Sequence, residues 1–165
     1  MEPGEALGIA AQIAVALAGF AGVVVVFRRE SVHEWSLIDK FRLRLLLSNS
    51  ILPLGLCMIG LLLLTIKPMP PGIWRLCSGF AFVVSLLFAI TMTKILRRLD
   101  LRQIQRERTT RFVFYLIGAL GIAANLLQLY NTAFLGAFWP FFTGIVFQLV
   151  TAMLQFMRIV LMPPE

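Results

Sequence analysis

The chain has 165 residues, of which 59% are hydrophobic and 14% charged, and its mean hydropathy is +0.89. Ordinary soluble domains carry roughly 25% charged residues, so this composition excludes one and points to a membrane chain. A formal net charge of +7 would suit nucleic acid as well as membrane topology, and the positions of the basic residues decide between them.

Five apolar blocks recur along the chain, at about residues 7–27, 45–66, 73–93, 112–131 and 135–157. A helix crossing a hydrocarbon core of about 30 Å needs about 20 mainly apolar residues, and every block reaches that length. The blocks contain continuous runs such as Gly22 to Phe27 and Gly60 to Leu64. Such runs lack the alternation of a membrane barrel strand, so the predicted fold is an all-α, five-span helix bundle forming a single transmembrane domain.

The first block is preceded by Glu2 and Glu5 and followed at once by Arg28 and Arg29. A secretory signal has basic residues ahead of a shorter apolar run, so this block is expected to be an uncleaved span with its N-terminus outside. In the connection that follows, Ser31 and Glu34 have capping-box spacing, and Val32, Trp35, Ile38, Phe41 and Leu45 recur every three or four residues. That pattern describes either a short interfacial helix between spans one and two or a helical extension of span two. Pro53 lies within span two, four residues after Asn49, and predicts a bend there.

The turn after span two holds Pro68, Pro70 and Pro71, which force a stiff reversal. Beyond span three, residues 94–111 hold seven basic residues against Asp100 and Glu107. Arg97, Arg98 and Arg102 in this stretch would contact anionic lipid head groups or an acidic partner, or would serve only as a topology anchor on a solvated helix. Spans four and five are joined by Asn131 to Phe134, and Pro140 follows inside an apolar run, where it again invites a kink.

With the N-terminus outside, thirteen Lys and Arg fall on the inner side and only Lys67 and Arg75 on the outer. This is a positive-inside distribution; it accounts for the net charge and makes a nucleic acid partner unnecessary. Trp74, Tyr130 and Trp139 at the outer boundary, and Trp35, Phe41 and Tyr115 at the inner one, agree with it. A bacterial inner membrane is the expected location.

No Asp, Glu, Lys, Arg or His lies deep in a span, and His33 is the single histidine. Proton-coupled transport and intramembrane catalysis use such groups, so the sequence predicts no enzyme, no catalytic or metal-ligating residue and no cofactor. Cys57 and Cys77 would lie at different depths, about 7 Å apart at 1.5 Å per residue, against a disulfide.

Neutral polar residues remain, and their spacing is ordered. Gly144, Gln148, Thr151, Gln155 and Arg158 follow steps of four, three, four and three, one face of span five. Ser48, Asn49 and Ser50 on span two share the inner depth, while Gln12 on span one and Asn125 and Gln128 on span four share the outer. These residues form either the wall of a narrow aqueous path or interhelical hydrogen bonds. Small residues mark a packing seam on span one, Ala14, Ala18 and Gly22, used inside the bundle or for self-association. Gly118, Gly121, Ala123 and Ala124 repeat the theme on span four.

The leading expectation is a non-enzymatic membrane protein acting through helix packing, as a homo-oligomer or a subunit of a membrane complex. The first rival is a passive channel or pore-forming effector lined by Gln148, Thr151, Gln155 and Asn49, with Arg158 at its cytoplasmic mouth. The second is a lipid-active protein holding head-group phosphates on Arg97, Arg98 and Arg102, which lack an accompanying nucleophile or base.

Overall fold

The computed structural model describes residues 1–27, 37–66, 72–98 and 108–161. Within them the chain is helical, in the order α1 (Pro3–Phe27), α2 (Leu37–Thr65), α3 (Ile73–Arg98), α4 (Arg108–Tyr130), a π-helical turn (Asn131–Leu135) and α5 (Phe138–Leu161). Five stretches are long and apolar enough to cross a membrane: Pro3–Val26, Asp39–Thr65, Ile73–Leu96, Tyr115–Leu135 and Phe138–Val160. The helices outrun the apolar blocks because backbone hydrogen bonding continues past the last apolar residue, and α2 begins at Leu37 where its block begins near 45.

Residues 37 to 44 therefore run without a break into the second span, as an extension of it. The capping-box residues Ser31 and Glu34 lie outside the described residues. Helix α2 also continues through Pro53. Pro140, in contrast, falls in the first turn of α5, which starts at Phe138. There its missing N–H has no helical partner to lose, so the kink expected from an interior proline is not required.

The chain divides into two compact units, one comprising residues 1–71 and 145–165, the other residues 72–144. In the first unit α1 and α2 form an antiparallel pair, with Gly4 at the start of α1 beside Leu64 at the end of α2. The buried face of α1 is Leu7, Ala10, Ala14, Leu17 and Ala21, in steps of three, four, three and four. Alanines at these positions let two helix backbones approach closely. Helix α2 buries Leu46, Ser50, Pro53 and Cys57 in the matching register. The second half of α5 belongs to this unit, where Phe156 packs on Phe20 of α1 with ring centroids 5.7 Å apart.

In the second unit α3 buries Ile73, Cys77, Ser78 and Ala81, while α4 between residues 115 and 130 buries only Gln128. The helices differ accordingly: 44% of the most apolar part of α2 is buried, against 11% for α4. Among the five apolar stretches, that of α4 has the smallest buried share.

Candidate functional site

Among the described residues three polar arrangements stand out, and the most heavily bonded lies where the sequence suggested only a turn. Asn131 is fully buried. Its Nδ2 donates to Ser78 Oγ at 2.7 Å and to the Ala137 carbonyl at 2.9 Å, and its Oδ1 accepts the Ala137 N–H at 2.9 Å. The carboxamide so pairs with one residue's backbone as a neighbouring strand would, while tying α3 to the start of α5.

Around it, the Gly136 N–H donates to the Asn131 carbonyl at 2.9 Å, closing the π-helical turn. Gly136 has φ +64°, and a Cβ there would lie 2.9 Å from Arg75 Nε. Only glycine meets both conditions without strain. Arg75 in turn donates through Nη2 to the Phe134 carbonyl at 3.2 Å. Trp74 lies over Phe138 and Phe141, with ring centroids 4.7 and 6.0 Å away.

Gln128 completes the knot by donating from Nε2 to the Pro140 carbonyl at 2.7 Å. Its amide occupies the space beside Gly144, where a Cβ would come within 2.5 Å of Nε2. Asn125, one turn earlier, bonds within its own helix, donating to the Gly121 carbonyl at 3.0 Å. Of the outer-depth amides named from the sequence, Gln128 is therefore bound to α5 and Asn125 to α4, while Gln12 is exposed on the face of α1 opposite its buried alanines.

The second arrangement is the polar face of α5. Buried positions on this helix run Phe141, Ile145, Gln148, Ala152, Gln155 and Ile159, with Thr151 beside them. Gln148, Thr151 and Gln155 thus point inward, whereas Arg158 is half-buried at the edge of the face. Thr151 donates to the Phe147 carbonyl at 2.9 Å. On α2, Asn49 donates to the Leu45 carbonyl at 2.9 Å and Ser50 to the Leu46 carbonyl at 2.8 Å. These side chains bond to their own helices. Gln155 is 1% exposed, and its Oε1 receives no hydrogen bond among the described residues.

The third arrangement is charged. Arg42 Nη1 donates to Asp39 Oδ1 at 3.4 Å, and both residues are buried near the start of α2. Arg42 is one of the thirteen basic residues counted on the inner side, and the carboxylate one turn before it engages its guanidinium. Of the other basic candidates, Arg97 and Arg98 form the last turn of α3, and Arg102 lies outside the described residues.

The small-residue seam of α1 is divided between faces. Ala14 is fully buried, Ala18 is intermediate and Gly22 is exposed. Comparison with known protein families, with characterised proteins and with solved structures finds no match.

Proposed function

We propose that this chain is a small integral membrane protein acting through helix packing, as a homo-oligomer or as a subunit of a larger membrane complex. It would sit in a bacterial inner membrane with its N-terminus outside and its C-terminus in the cytoplasm. The positive-inside distribution of its basic residues supports that orientation. The observation that carries the reading is the apolar surface left on all five helices. Val26 is 79% exposed, Leu62 64%, Leu76 62%, Ile122 65% and Val160 53%. Surface of this kind, continuous over long helices, is covered by lipid or by another apolar helix.

Native mass spectrometry of the protein released from lipid nanodiscs tests the proposal. A discrete homo-oligomer or a stoichiometric complex with another membrane protein is the expected result. A lone monomer with nothing bound would remove the packing role.

A passive channel is the second reading, favoured by the inward Gln148, Thr151 and Gln155 and by the undonated Oε1 of Gln155. Neutral acceptors suit passive flow of water or a small polar solute better than ion coupling. Flux through reconstituted liposomes that falls with Gln148→Leu combined with Gln155→Leu would support this lining, and flux unchanged by the pair would reject it.

A further inference from the structure

We infer that α4 holds one ordered water molecule between the side-chain oxygens of Asn125 and Gln128, on the face it turns toward α3. Both residues lie in the unit of residues 72–144, whereas Gln148, Thr151 and Gln155 belong to the other unit. The site therefore stands or falls apart from the channel reading.

The partners of the two carboxamides fix their orientation. Asn125 Nδ2 donates to the Gly121 carbonyl at 3.0 Å, and Gln128 Nε2 to the Pro140 carbonyl at 2.7 Å. A carbonyl oxygen carries no hydrogen, so in each side chain the nitrogen must be the atom that faces it. The oxygens are left for other donors. Oδ1 of Asn125 and Oε1 of Gln128 are both buried, and neither receives a hydrogen bond among the described residues. Gln128 as a whole is 3% exposed.

Depth makes these two oxygens costly to leave unpaired. Asn125 is at the midpoint of the apolar stretch Tyr115–Leu135, and Gln128 lies about 4.5 Å beyond it at 1.5 Å per residue. In a bilayer, bulk water does not reach that depth, and a buried acceptor without a donor is destabilising. Asn131, further along the same helix line, shows the contrast, because its nitrogen and its oxygen are both bonded within the protein.

The two residues also share a covered face. At about 100° per residue, Gln128 lies between Asn131 and Thr132 around the axis, and Asn125 lies within about 20° of Thr132. Helix α3 abuts this face: Asn131 bonds Ser78, and a Cβ at Gly79 would meet the Thr132 methyl at 3.4 Å. One turn after Ser78 the next buried residue of α3 is Ala81, whose methyl group leaves room beside the carboxamides.

The chemistry selects the occupant. Both free atoms are acceptors, so the occupant brings two hydrogens. Residues three apart on a helix have Cβ atoms about 5–6 Å apart, a span that one molecule donating to both oxygens bridges. A cation would meet no carboxylate, because the described residues of this unit include no Asp or Glu, and an uncompensated charge at this depth is costly. Water is neutral, donates twice and is small enough to be enclosed between helices.

The test is water-to-amide cross-relaxation by nuclear magnetic resonance, on the full ¹⁵N-labelled, perdeuterated chain in nanodiscs of deuterated phosphatidylcholine and phosphatidylglycerol. A cross-peak between water and the Gln128 Nε2 hydrogens is expected, with opposite signs in the laboratory and rotating frames, which marks a resident molecule rather than proton exchange. The fully bonded Asn131 carboxamide should show none. Asn125→Leu should weaken the Gln128 cross-peak about two- to ten-fold, the loss of one hydrogen bond, while the Nε2 chemical shift shows the bond to Pro140 retained. In the wild-type chain alone, absence of the cross-peak or equal signs in the two frames would overturn the resident water. A cross-peak unchanged by Asn125→Leu would overturn the two-oxygen site. Neither result would touch the packing role or the face of α5.

Discussion

The turn between α4 and α5 and the inward polar face of α2 and α5 contain similar side chains and use them oppositely. At the turn, Asn131 and Gln128 reach across to other elements, bonding Ser78, Ala137 and Pro140. On the inner face, Asn49, Ser50 and Thr151 turn back to carbonyls of their own helices. A bond between elements fixes tertiary structure and is lost when those elements separate. One made four residues back along a helix survives separation, so it satisfies the group while contributing little to the fold. Polar residues in a span are therefore informative only once their partners are known.

The strongest way to break this comparison is at Asn131. Asn131→Leu would remove three bonds and leave the Ala137 N–H and carbonyl without their side-chain partner in a buried turn. A loss of about 3 kcal/mol or more is expected, read from unfolding in mixed detergent and SDS micelles. A loss below about 1 kcal/mol would mean that the turn is held by its aromatic cluster. Gly144→Ala comes next. Its Cβ would meet the Gln128 amide at 2.5 Å, displacing the bond to Pro140 at a cost of about 1 to 3 kcal/mol. Combining Gly144→Ala with Gln128→Ala should recover part of the loss, because the smaller side chain vacates that space.

Much of the architecture is legible in the sequence because length and apolar continuity alone specify a spanning helix. Faces are less legible. Ala14, Ala18 and Gly22 are spaced by four, and at 100° per residue such a series drifts around the helix by about 40° at each step. Burial instead follows Leu7, Ala10, Ala14, Leu17 and Ala21, whose alternating steps stay on one side. On α5 the same alternation runs through the buried positions Gln148 and Gln155. Asn131 was not legible as a hub, since its partner Ser78 lies 53 residues away and the local sequence signals only a reversal. Arg42 looked like one more inner cation because charge counting does not register which carboxylate lies a turn away.

The smallest expected effect is the one that separates structure from function on the inner face. Gln155 is buried, and its carbonyl oxygen receives no hydrogen bond among the described residues. Leucine has a similar volume and no polar group to bury. Gln155→Leu should therefore change stability by less than about 1 kcal/mol and favour the folded state, as replacing unsatisfied buried polar groups by apolar ones generally does. A destabilisation as large as that of Asn131→Leu would show that Gln155 is bonded as firmly as the turn, erasing the distinction between the two regions. If stability holds while liposome flux falls, the amide is retained for what passes it. If both stability and flux are unchanged, the inner face is structural and the packing role alone accounts for the chain.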